Sequence, residues 1–131
     1  MELDNDQKFA FAAIASMSIV AYADGEQSES ELEEIYIQIH QSKRLSCVTD
    51  FALEALDEVN ERLKVDFEEG SNHIVNDLMA ISLEHDESTD VINMAVDVMK
   101  SNKVVSPHQI DAVTGLCNVF KLYSDQFNFV T

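Results

Sequence analysis

An all-α fold is what this sequence predicts: a compact single-domain helical bundle of about six to seven helices with a weak internal two-fold repeat. Three observations predict it. Turn formers are scarce, with three Gly and one Pro in 131 residues, too few to punctuate a many-stranded sheet. Apolar residues make up 46% of the chain and recur at three- and four-residue spacing, the period of a helix face. Ser-x-x-Glu and Ser-Pro stand at the starts of such stretches, where helices take their caps. The length sets one domain, residues 1–131 with its core over about 9–122, large enough to fold without disulfide or metal staples.

The first helix is expected over about 5–23, with Asp4, Asn5 or Asp6 as cap. Phe9, Ile14, Met17 and Val20 alternate with Ala around its whole circumference, which predicts a central helix packed on every side. The chain turns at Asp24-Gly25, where Gly accepts the turn geometry. Ser28 and Glu31 then form a capping box. The second helix is expected to run through Leu32, Ile35, Tyr36 and Ile39 to about Arg44, with Lys43 and Arg44 at the negative end of its dipole. A third spans about 49–66, capped by Ser46 or Thr49. Gly70-Ser71 is expected to end that segment and start a fourth over 72–84. The polar run His85–Ser88 reads as a turn before a fifth helix over 89–101. Ser106-Pro107 opens a sixth, running to about Leu122, with Pro at the position where its missing N–H does no harm. The tail 124–131 leaves room for one more short turn.

Charge narrows the partners. With 25 acids against 8 bases the net charge is −17, which repels phosphate backbones and anionic lipid headgroups. Nucleic acid is excluded as a partner, and direct membrane insertion with it. The uncharged run at 9–23 falls short of the ~20 residues that span a bilayer. The acidic start MELDNDQK is unlike a signal-peptide n-region. Cys47 and Cys117 stand far apart with no CxxC, which predicts two buried, reduced thiols and a cytoplasmic setting.

The stretch ADGEQSESELEEI at 23–35 carries the densest chemistry. Against the calcium-loop pattern D-x-[DN]-x-[DN]-G-x₅-E, Asp24 and Gly25 occupy positions 5 and 6, Ser28 position 9 and Glu31 the bidentate position 12. Positions 1 and 3 hold Val20 and Tyr22, which cannot ligate and belong to the last turn of the first helix. Asp24, Glu26 and Glu31 are therefore the candidate metal ligands. They suit a weakly held divalent cation (Ca²⁺, Mg²⁺, Mn²⁺ or Zn²⁺), with affinity no tighter than roughly 10⁻⁴ M. The alternative is a helix cap that needs no metal. Six acids lie between Asp24 and Glu34, and carboxylates so crowded call for a cation or a basic partner.

A shift of 78 residues lays a second copy over the first. Asp24 falls on Asn102, Gly25 on Lys103, Ser28 on Ser106, Glu31 on Gln109, Leu32 on Ile110 and Ile35 on Val113. The incoming helices correspond too, Met17 with Ala95 and Ala21 with Met99. Cap and apolar face are kept, while the acids Asp24, Glu26 and Glu31 become Asn102, Val104 and Gln109.

The Ala-rich first helix ending in ADGE, the Ser-x-x-Glu start of the next helix and the diverged repeat together resemble the tellurite-resistance TerB-like family. The resemblance covers about residues 9–122. In the first copy it rests on Ala23, Asp24, Gly25, Glu26, Ser28 and Glu31; the second departs at Asn102 and Lys103. It implies a cytoplasmic, bacterial, non-catalytic stress-response or interaction module, with an acidic face for a divalent cation or a basic protein partner. The departing second copy puts a two-loop metal site in doubt. A second reading is a histidine phosphotransfer-like signalling domain with His40 as acceptor and Lys43 beside it, although Arg44 stands where a small residue normally follows. His40, His73, His85 and His108 form no HExxH and no zinc-ligand pair. No nucleophile has a neighbouring base, so no catalytic residue and no enzyme activity is assigned.

Overall fold

α1 (Asn5–Tyr22) is apolar on every side, and it takes the centre of the molecule. Every residue from Ala12 to Ala21 is buried. The hydroxyls of Ser16 and Ser18 are buried there without a hydrogen-bond partner; their small volume suits the close approach of neighbouring helices. The computed structural model describes residues 3–25, 27–101 and 105–127. Around α1 stand α2 (Glu29–Gln41), α3 (Lys43–Ser46), α4 (Thr49–Val65), α5 (Phe67–Met79), α6 (His85–Lys100) and α7 (Pro107–Val119), followed by a 3-10 turn at Ser124–Gln126. The protein is thus an all-α helical bundle, with no strand among the described residues.

α1 packs most extensively on α6 and α4. Those contacts bring together fully buried Ile14, Met17, Leu56, Leu63, Ile92 and Met99; truncating one such side chain to Ala costs about 2–5 kcal/mol. Capping follows the local chemistry. Asp4 accepts from the Gln7 N–H at 2.8 Å, and Gln7 returns the bond to the Asp4 N–H at 3.1 Å. α7 ends by placing Lys121 at φ 59°. This lets the Leu122 N–H reach the Cys117 carbonyl at 2.8 Å and the Lys121 N–H reach that of Asn118 at 3.2 Å, the paired bonds of a Schellman end.

Several boundaries differ from the sequence expectation. The second helix does not reach Arg44: Ser42 turns extended (ψ 126°) and caps the short α3 by accepting from the Leu45 N–H at 3.4 Å. The third helix ends near 66 as expected, but the fourth starts at Phe67 instead of after Gly70-Ser71. The break lies at Asp66 (φ −156°, ψ 105°), which caps α5 through the Glu69 N–H at 3.1 Å. Gly70 sits inside α5 because α4 passes against it; a Cβ there would stand 2.7 Å from the Arg62 carbonyl oxygen. The run His85–Ser88 is the first turn of α6 rather than a loop. Ser88 there is buried, and Glu87 accepts from the Glu84 N–H at 2.9 Å. α4 starts at Thr49 as expected, but Val48, not Ser46 or Thr49, holds the cap position, without a side-chain bond. α7 ends at Val119, short of the expected Leu122, with Phe120 as its C-cap.

The break at Ser42 gives Arg44 a task other than closing α2. Its guanidinium lies 4.4 Å from the centre of the Phe9 ring. It donates to Asp6 Oδ1 at 3.2 Å, to the Asn5 carbonyl at 3.2 Å and to Glu87. One side chain so ties together the starts of α1, α3 and α6. The hydrogen bond to Glu87, opposed by burial and aided by Asp6, raises the guanidinium pKa. Burial works against the Glu87 carboxylate, but the bonds from Arg44 and the Glu84 N–H, with the Arg44 charge, outweigh it and hold that carboxyl below its ordinary range.

Candidate functional site

The two helix junctions singled out by the repeat lie against each other. α1 ends at Tyr22, so Val20 and Tyr22 belong to its last turn. The Gly25 N–H closes the turn on the Tyr22 carbonyl at 3.0 Å, and Gly25 holds φ 110°, a region that disfavours a Cβ. Ser28 (φ −77°, ψ 162°) caps α2: its Oγ accepts from the Glu31 N–H at 3.2 Å, and Glu31 Oε1 accepts from the Ser28 N–H at 2.9 Å. The second copy repeats this. Ser106 (φ −84°, ψ 152°) caps α7, its Oγ accepting from the Gln109 N–H at 3.2 Å, while Gln109 Oε1 accepts from the Ser106 N–H at 3.3 Å.

The two third-position side chains then meet. The Gln109 amide donates to Glu31 Oε2 and also, at 3.3 Å, to the Val20 carbonyl near the end of α1. Glu31 and Gln109 are both fully buried. Two residues 78 positions apart, equivalent in the repeat, are thus partners in the structure. An amide has two N–H donors and one acceptor oxygen, and all are used here. Both oxygens of Glu31 are used as well.

This bears on the candidate ligands. Asp24 is exposed and Glu31 is buried, while Glu26 lies outside the described residues, as do Asn102, Lys103 and Val104 of the second copy. The Gln109 N–H stands where a cation would approach Glu31, so Glu31 does not fit a metal ligand in this arrangement. Among the described residues no group of three or more His, Cys, Asp or Glu is placed to hold a metal ion. Next to the junction, burial and, after it, the Glu61 charge raise the Tyr22 phenol pKa.

The remaining sequence candidates are separated. His40 is exposed near the end of α2, but Lys43 lies beyond the extended Ser42, in a different helix. His85 opens α6. The expectation of two buried thiols holds for Cys117 alone, whose thiol pKa burial pushes up. Cys47 is exposed, its Sγ 3.2 Å from the Lys43 carbonyl, because it follows the short α3 rather than lying within a helix face.

What sequence reasoning missed is the outer face of α2. Glu31, Ile35 and Ile39 turn inward and are fully buried. That leaves Glu29, Glu33, Tyr36, Ile37 and His40 exposed. The signal was present: residues 31, 35 and 39 share a face at four-residue spacing, so 29, 33, 36, 37 and 40 must share the opposite one. Elsewhere a shallow cleft of about 480 Å³ lies between α4 and α5, lined by Glu61, Val65, Glu69 and His73. His73 there approaches Glu69 at 4.0 Å.

Compared with protein-family models, curated proteins and solved structures, the chain gives no match. No helix among the described residues is long and apolar enough to cross a membrane.

Proposed function

We propose that this protein is a non-catalytic, TerB-like interaction module that presents an acidic surface to a basic protein partner. The observation that carries the reading is the disposition of charge. Both arginines are committed internally, Arg44 to Asp6 and Glu87, Arg62 to Glu58 and Asp77. No salt bridge among the described residues reaches Glu29 or Glu33 on α2. An acid excess of this size, left facing solvent, attracts cationic surfaces and steers their approach. The resemblance to TerB-like proteins supports the same reading. It rests on the ADGE turn, the order of the helices and two Ser caps that form in both copies. A bacterial, cytoplasmic, stress-linked setting belongs to that resemblance.

The divalent-cation reading rests on Asp24 and Glu26, since both oxygens of Glu31 are engaged. The experiment pairs two measurements. Cross-linking at native expression, followed by binding with the purified partner, is expected to give a Kd that weakens about tenfold between 50 and 300 mM salt, the mark of exposed charge. Calorimetry with Ca²⁺, Mg²⁺, Mn²⁺ and Zn²⁺ is expected to give the same trace for the native chain and for Asp24→Asn/Glu26→Gln. A salt-independent Kd removes the acidic-surface reading. A cation whose binding that double variant abolishes replaces it with a metal site.

A further inference from the structure

We infer that the outer face of α2 is the docking surface, and that its occupant is an amphipathic helix of a partner protein carrying Lys or Arg beside an apolar stripe; this rests on the acidic-module reading above. Glu29, Glu33, Tyr36 and His40 follow one another at helical spacing with Ile37 beside Tyr36, so they form one continuous stripe. Tyr36 is 39% and Ile37 38% exposed. Among the described residues three other large apolar side chains are exposed, Val65, Met79 and Tyr123. Each stands alone at the end of a helix or just beyond one. Among the described residues only α2 carries two large exposed apolar groups in succession, with half-buried Leu32 one turn before them.

The chemistry of the stripe selects the occupant. Its N-terminal half is acidic, at Glu29 and Glu33, and no salt bridge among the described residues reaches those groups. Its middle is apolar. A helix with apolar side chains at three- and four-residue spacing lays them on such a ridge, and flanking Lys or Arg meet the two carboxylates. A second copy of this chain is the wrong occupant: each carries −17, and α2 offers no Lys or Arg to meet Glu29 and Glu33 of the other copy. An anionic membrane is disfavoured for the same reason.

The test uses two fluorescein-labelled peptides of eighteen residues made only of Lys and Leu. One has its Leu at helical spacing and the other has the same composition in an order without a stripe. Anisotropy titrations would be run on the intact protein, on Tyr36→Ser/Ile37→Ser, on Glu29→Lys/Glu33→Lys, and on Glu54→Lys/Asp57→Lys as a charge control at two exposed acids of α4. Circular dichroism confirms that each variant is folded. The expected result is binding of the striped peptide about tenfold tighter than its reordered partner. Each α2 variant is expected to lose about tenfold, and the α4 variant less than about threefold. Equal affinity for the two peptides, or equal losses in the α2 and α4 charge variants, overturns the α2 assignment and leaves the acidic-module reading standing. No binding of either peptide at low salt overturns both.

Discussion

Replacing Gln109 by glutamate tests the buried junction with almost no change of shape. The new carboxylate keeps an oxygen for the Ser106 N–H, now bonded to Gln109 Oε1 at 3.3 Å. It removes both donors. The Val20 carbonyl retains the Ala23 N–H at 3.3 Å, so its loss is about 1 kcal/mol. Glu31 Oε2 loses its partner in a fully buried site, worth about 1–3 kcal/mol, and a like group is set against it. The sum is a loss of about 3–5 kcal/mol, the range for breaking a buried charged pair, against a total stability of about 5–15 kcal/mol for a domain. Urea denaturation followed by circular dichroism at 25 °C reads it. The exchange variant E31Q/Q109E restores one acid against one amide and recovers part of the loss. It stops short of the native value because the Val20 carbonyl stays without its amide donor. A loss below about 1 kcal/mol in Q109E, or an exchange variant as unstable as the sum of its single changes, refutes the pairing.

Two further expectations concern stability. Gly70→Ala places a Cβ 2.7 Å from the Arg62 backbone oxygen, forces α4 and α5 apart and costs about 1–3 kcal/mol; Gly115→Ala, also within a helix but with nothing within 4 Å of its Cβ, gains about 0.5–1 kcal/mol. Opposite shifts in Tm check the pair, and shifts of the same sign would discard the close approach of α4 to α5. Glu87→Gln lowers stability by about 1 kcal/mol at pH 7, discounted because Arg44 keeps 35% of its side-chain surface. Since the Glu87 pKa is held below 4.5, that contribution is present above the ordinary carboxyl range and lost as pH falls through the depressed value. The gap to the native protein should narrow as pH falls below the ordinary carboxyl range, and a gap that stays unchanged on acidification counts against the Arg44 bond.

The elements legible in the sequence were those with local causes. Ser28 with Glu31, and Ser106 with Pro107 and Gln109, fix two helix starts through bonds spanning three residues, and such bonds can be read from spacing alone. The central place of α1 was legible because its apolar groups leave no polar face. What failed depended on contacts between elements. Gly70 reads as a breaker on propensity, but its bareness serves the passage of α4 over α5. His85–Ser88 reads as a loop on polarity, yet Ser88 is drawn under the bundle by the stripe of Val91, Ile92 and Ala95 that follows it. Ser42 reads as a neutral helix residue, although its hydroxyl caps the next turn once the chain bends.

Glu31 is the sharpest case, because the reading of it as an open ligand came from its place in a motif. Its place on the helix says otherwise, as it heads the buried row of Glu31, Ile35 and Ile39. Its partner, Gln109, stands at the equivalent position of the 78-residue repeat. A like pair of acids there would need a cation or a proton between them. An acid against an amide needs neither, since the amide supplies the donors. Glu31 in the first copy and Gln109 in the second are therefore one structural solution, visible as the single bond between them. That bond closes the inner carboxyl to outside ligands. The acids that stay open are those on the other side of α2, Glu29 and Glu33, next to the exposed Tyr36 and Ile37. The same helix thus spends one acid on holding the two halves together and offers the others to whatever the protein meets.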